Sequence, residues 1–190
     1  MHLRLKRDVP RWLHVEDWVG VGDAAALAVT YIVFMAGSCL VVSRRIAAPP
    51  QRVWDVVSNI AGAADTIESV ASVELLTGQT IGVGTRWNET RVVFGRQHTE
   101  TLEVTAFDPP TCYVVEGDSC GTHFTSTIRC APEDDGATML TMTMESEPRT
   151  MMAKLLNPLA RLATRSMRKM LDQDLDDIAR ASSGGTDSTD

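Results

Sequence analysis

A helical apolar stripe running from about Pro148 to Ala181 closes the chain after a series of strand-like segments, and this order constrains the fold more than any other feature. Met152, Leu155, Leu156, Leu159, Ala163, Met167, Leu171, Leu175 and Ile178 recur at spacings of three to four and so share one helical face. A helix with such a face must bury it, and the partner left for it is the concave face of a curved antiparallel sheet. A helix gripped in this way leaves space beneath it, which points to a hydrophobic ligand. Asn157-Pro158 predicts a kink or a split first turn. Arg161, Arg165, Arg168 and Lys169 fall on the outer side. Asp172, Asp174, Asp176 and Asp177 crowd the C-terminal end, where the helix dipole disfavours them.

Upstream, Val41–Ile46 reads as a strand that ends at Pro49-Pro50, and Val53, Trp54, Val56 and Val57 give a short helix its buried face. Residues 59–65 form a second short helix or a loop. Strands are expected over 70–76, 85–94, 96–107, 112–116 and 122–130. They are separated by Thr77-Gly78-Gln79, by Gly95, by Asp108-Pro109-Pro110 and by the segment 117–121. A last strand over 138–146 alternates strictly, with Leu140, Met142 and Met144 on one face.

Composition narrows the function classes. A net charge of −7 argues against a nucleic-acid partner, which requires a basic face. With 9 Met among 190 residues, the chain has adaptable side chains for gaps or for a cavity wall. The four cysteines, Cys39, Cys112, Cys120 and Cys130, show no metal-ligand spacing and read as reduced thiols in a cytoplasmic protein. A Cys112–Cys120 bridge across one hairpin is the alternative. No metal and no cofactor is implied.

Residues 1–38 read as an extension, either disordered or forming a short docked helix. Residues 39–181 form the domain and 182–190 a disordered tail. The uncharged run Ala24–Val42 approaches membrane-helix length, but its last part is the first strand, and residues 24–38 alone are too short to span. Membrane association through that segment is the alternative localisation. Met35 stands just before the domain pattern and could itself be the start.

Ile46-Ala47-Ala48-Pro49-Pro50-Gln51-Arg52-Val53-Trp54-Asp55-Val56-Val57 resembles the opening strand and helix of the START-like, or SRPBCC, superfamily. Gly82-Val83-Gly84-Thr85-Arg86-Trp87, the segment Val104 to Pro110, and Asp135-Gly136-Ala137-Thr138 resemble later landmarks of its polyketide cyclase/dehydrase-like branch. The resemblance implies an α+β helix-grip fold: a seven-stranded antiparallel sheet around a long C-terminal helix, with two short helices after strand one. It also implies a cavity between sheet and helix. It does not choose among lipid carriers, hormone receptors, ring-closing enzymes and chaperone activators. The His and Cys ligands of the iron-dependent oxygenase branch are not found.

Strand alternation places Trp87, Glu89, Arg91 and Val93 on one face. If Trp87 points inward, Glu89 and Arg91 pair in the cavity and can orient a ligand carbonyl or carboxylate. If it does not, they form an ordinary surface pair. The candidate ligand-binding residues are Trp87, Glu89, Arg91, Tyr113, Phe124, Met142, Met144 and Leu155. Phe94 joins them only if a bulge changes the register. Glu89, Arg91 and His98 are the candidates for acid–base chemistry. The leading expectation is binding or transport of a hydrophobic small molecule such as a lipid, polyketide or isoprenoid-like compound. The alternatives are a polyketide cyclase, aromatase or dehydratase, and an interaction module with a vestigial cavity.

Overall fold

A computed structural model of the protein describes residues 39–78, 80–93, 95–119, 122–149 and 160–184, with the side chains of 160–164 left aside. The expectations for residues 1–38, for Phe94 and Cys120, and for Leu155 and Leu159 lie outside the described residues. Seven strands form one antiparallel sheet in the order β1-β7-β6-β5-β4-β3-β2. They are β1 (Cys39–Ile46), β2 (Val70–Leu75), β3 (Arg86–Val93), β4 (Arg96–Asp108), β5 (Cys112–Ser119), β6 (Thr122–Pro132) and β7 (Thr138–Pro148). Helix α1 (Pro50–Val57), a 3₁₀ turn (Ile60–Gly62) and α2 (Ala63–Thr66) follow β1, and α3 (Ala160–Ser183) ends the domain. The order and pairing are those of the α+β helix-grip fold.

Local chemistry explains the elements. Pro50 opens α1 at a position where an N–H would have no helical partner, and Val53 and Trp54 give the helix its buried side. The short connections from β3 to β7 make each strand pair with its sequence neighbour, so β3 through β7 form a meander. Strand β1 then adds beside β7, with Val42 opposite Met142 and Leu40 opposite Met144. Buried Thr138 donates its hydroxyl to the Ala48 carbonyl at 2.7 Å and ties the start of β7 to the end of β1. Trp54, Phe107 and Tyr113 form an aromatic cluster with centroids 5.4–6.4 Å apart, which packs α1 onto β4 and β5.

Two boundaries next to the long helix differ from the sequence reading. Strand β7 continues to Pro148, which pairs with Thr122, so Pro148 closes a strand and does not open the helix. The Thr/Met/Glu/Ser alternation simply carries on along β6. Helix α3 runs to Ser183 and buries Ser182, a residue assigned above to the tail. No bridge forms at Cys112, which is a free thiol along with Cys39 and Cys130.

Helix α3 lies along β1 and against α1. Its inner face presents Met167, Met170, Leu171, Leu175 and Ile178, all buried, while Arg165, Arg168 and Lys169 are exposed as the pattern predicts. The four aspartates do not share one environment. Asp174 and Asp177 are buried, and Asp176 is half-exposed and pairs with Arg44 at 2.6 Å. Among the described residues, no helix is long and apolar enough to cross a membrane.

Leu175 is fully buried at the centre of the helix–sheet contact. Leu175→Ala should lower the urea-unfolding free energy by about 2–5 kcal/mol, through lost transfer energy and the cavity it leaves. A change near zero would contradict this packing.

Candidate functional site

A cavity of about 140 Å³ lies between the sheet, the short helices and α3. Its walls are apolar over most of their extent. Four methionines contribute: Met142 and Met144 from β7, and Met167 and Met170 from α3. Trp87, Leu102, Tyr113, Phe124 and Ile128 supply the sheet side, and Val56, Ile60 and Ile67 the side of the short helices. Phe124 reaches its place because Gly117, its register partner, has no side chain. A Cβ at Gly117 would lie 2.7 Å from the Phe124 ring and 2.9 Å from Leu102. Tyr113 donates its hydroxyl to the Val57 carbonyl at 2.8 Å. Burial, with the Glu89 charge adding, raises its phenol above the ordinary range, so it stays neutral.

The polar side chains concentrate at β3 and β4. Glu89, Arg91 and Glu100 line the cavity, with Glu100 the cross-strand register partner of Glu89. Glu89 accepts from the Trp87 indole N–H through Oε2 at 3.2 Å and from Arg91 Nε through Oε1 at 2.6 Å. The three residues sit at alternate positions of one strand, so all face the same side. Arg91 Nη1 donates to the Ser69 hydroxyl at 2.8 Å and to Asp174 Oδ2 at 2.7 Å. The Ser69 hydroxyl in turn donates to Asp174 Oδ1 at 2.9 Å. Burial alone would lower the guanidinium's pKa, but the charges of Asp174 and Glu89 outweigh it and hold the proton firmly. Burial raises the Asp174 carboxyl, while Arg91 and Ser69 oppose the rise. Both of its oxygens face donors, the pattern of an ionised carboxylate.

One turn further along α3, Asp177 accepts from the backbone N–H of Glu68 at 2.8 Å and from Gln173 Nε2 at 2.9 Å, and it also pairs with Arg180. Asp174 and Asp177 therefore hold the 67–69 segment from two sides. The helix dipole does not decide the fate of these two aspartates, since each finds its own donors.

Seven residues expected at a ligand site, Trp87, Glu89, Arg91, Tyr113, Phe124, Met142 and Met144, converge on this one cavity. The surface-pair alternative for Glu89 and Arg91 is overturned: their side chains are only 11% and 21% exposed. His98 stands opposite Arg91 in the β3–β4 register but outside the cavity lining. His123 lies beside Glu116 and Asp118 on the other face of the sheet. Sequence reasoning missed Ser69 and Asp174. For Asp174 a signal was present. It falls four residues after Met170, three after Leu171 and four before Ile178, which is the centre of the buried stripe, and a charge at such a position demands a buried partner. Ser69 carried no comparable mark.

Residues 39–182 match the family described as polyketide cyclase / dehydrase and lipid transport. The chain belongs to this family. No curated protein matches the sequence. Solved structures share the fold at low identity. The protein TTHA0849 from Thermus thermophilus superposes with a TM-score of 0.65 at 19% identity, covering 78% of this chain and 99% of that one. The Zhui aromatase/cyclase from Streptomyces sp. R1128 gives 0.59 at 22% identity, covering 77% and 92%. The major latex-like protein 151 from Panax ginseng gives 0.62 at 12%, covering 76% and 96%.

Among the described residues, no group of three or more His, Cys, Asp or Glu side chains is arranged to hold a metal ion. Cys130 is buried, and burial, with Cys112 nearby, pushes its thiol up to about 11. Only about one Cys130 in a thousand is then a thiolate at pH 8, and the thiolate is the reactive form. Peptide mapping after brief iodoacetamide treatment at pH 8 should therefore find exposed Cys39 alkylated and Cys130 unmodified. The two pairings of Asp174 predict a second outcome. Asp174→Ala should cost about 3 kcal/mol in urea unfolding, because it strips a buried cation of one of its two counter-charges. A loss under about 0.5 kcal/mol, the range of an ordinary surface substitution, would show that Asp174 is not holding the helix.

Proposed function

We propose that the domain binds an apolar small molecule in the cavity between sheet and α3, without transforming it. The observation that carries this reading is the contrast between the two parts of the site. The apolar wall is flexible in composition, with four methionines that can repack around different shapes. The groups of the polar corner are bonded mainly to one another. Arg91 donates to three protein acceptors, and each Glu89 oxygen accepts from a protein donor. A general base or an oxyanion donor must instead direct its capacity at the substrate. The cavity is open rather than filled by side chains, which favours binding over a purely structural module. Its volume of about 140 Å³ is close to that of an engineered apolar cavity of about 150 Å³ that accepts benzene. A ligand of one or two rings, or a short lipid-like chain, is the scale implied. The free thiols Cys39, Cys112 and Cys130 support a reducing, cytoplasmic compartment.

A second reading has one observation in its favour. Glu89 and Glu100 face each other across adjacent strands at the cavity, and two neighbouring carboxylates are a familiar means of proton transfer during ring closure or dehydration.

Titration with 1-naphthylamine, a neutral two-ring fluorophore whose emission shifts when it is desolvated, tests the first reading. Saturable binding is expected in the wild type. Met167→Trp, which fills the space, should reduce it at least tenfold while the circular dichroism spectrum is unchanged. Equal binding by the folded variant would place the dye elsewhere and overturn this assignment. Glu89→Gln separates the two readings. A binding protein should hold the neutral dye with little change. A polyketide cyclase acting through Glu89 should lose turnover by about 10²–10⁴-fold.

A further inference from the structure

We propose that Asp174 determines which ligands the cavity accepts: by claiming Arg91 from behind, it reserves the site for apolar molecules that present a hydrogen-bond donor and keeps carboxylates out. The inference rests on the ligand-binding reading above and adds the chemical class.

Arg91 is the one cationic side chain that lines the cavity among the described residues, and an arginine in an apolar cavity ordinarily marks an anion site. Here two carboxylates already outweigh the guanidinium's single positive charge. Nε donates to Glu89, and Nη1 donates to Ser69 and Asp174. Asp174 does not line the cavity and is fully buried, so it competes for Arg91 from the helix side without occupying ligand space. Two carboxylates share one guanidinium, and the cluster carries a net charge of −1. An entering carboxylate would be the third anion on a single cation, in surroundings too dry to screen it. Even at the Nη2 donors, which bond to neither carboxylate, it would stand beside two carboxylates and one cation in a buried setting.

Donors fare differently. Each Glu89 oxygen accepts one protein hydrogen bond and, with two lone pairs, has capacity for another. A ligand hydroxyl, phenol or ammonium can donate there without breaking any bond in the cluster. Glu100, on the neighbouring strand, adds acidic character to the same wall.

Three probes with a common two-ring body test this at pH 7: 2-naphthol, 2-naphthylmethylamine and 2-naphthoate, each titrated by calorimetry. The wild type should bind the naphthol and the amine at least about tenfold more tightly than the carboxylate, the effect of one unfavourable like-charge contact. In Asp174→Asn, which keeps the shape but frees Arg91, naphthoate should gain at least about tenfold while naphthol changes little. Glu89→Gln should weaken the amine by a similar factor while leaving the Asp174–Arg91 pair in place, so it serves if Asp174→Asn does not fold. Naphthoate binding as tightly as naphthol to the wild type would overturn the inference, as would an unchanged ratio in folded Asp174→Asn. Saturable binding of 1-naphthylamine together with no selectivity among the three probes overturns this inference alone. Absence of binding by all four molecules overturns the ligand-binding reading with it.

Discussion

The buried ion pair between Arg91 and Asp174 joins the two halves of the fold. Arg91 belongs to the sheet and Asp174 to the long helix, and Ser69, from the segment that leads into β2, bonds to both. Apolar burial supplies most of the attraction between helix and sheet, but such burial is not directional. A Met- and Leu-faced helix could slide or rotate over an apolar sheet at little cost. A charge at 0% exposure cannot, because any displacement leaves it unpaired in a dry interior. The pair therefore fixes the helix at one register, and Asp177, bonded to the Glu68 backbone, fixes it again three residues later.

The same constraint shapes the site. A cavity walled by methionines would adapt to many shapes and prefer none. The polar corner is the opposite: Glu89, Arg91, Ser69 and Asp174 are each held by at least two partners, and their geometry is fixed by the protein itself. Under the proposed binding function, rigidity at one end and plasticity at the other would fix the orientation of a guest while tolerating variation in its body. Gly117 contributes in a less visible way. By having no side chain it lets Phe124 and Leu102 close over β5, so part of the apolar wall depends on an atom that is absent.

The fold was legible in the sequence because its signals were periodic. The Leu140-Met142-Met144 alternation, the Val53-Trp54 helix face after Pro49-Pro50, and the terminal apolar stripe each recur often enough to fix an element and its buried side. The inward set on β3 followed from Trp87 by simple alternation. What was not legible involved contacts between distant elements. Nothing near Ser69 announces a partner 105 residues away. Asp174 was hidden for a different reason. It sat among Asp172, Asp176 and Asp177, and the group looked like a solvated acidic end. Only its place within the stripe set it apart. The helix start at Pro148 failed because proline suits the last residue of a strand as readily as the first turn of a helix.

An open sheet has two edges, and each exposes backbone groups that could recruit another strand. On β1, Arg168 of α3 donates to the Val41 carbonyl at 3.1 Å, and the Arg44–Asp176 pair clasps the same strand to the same helix. On the far side, β2 is only six residues long, slips register between Val70 and Ser72, and carries Glu74. Helix α3 thus has a protective role besides enclosing the cavity. It shields one flank of the sheet from strand addition, while brevity, irregularity and charge defend the other. A protein built with an apolar cavity at its centre is, by this design, a poor template for joining its neighbours edge to edge.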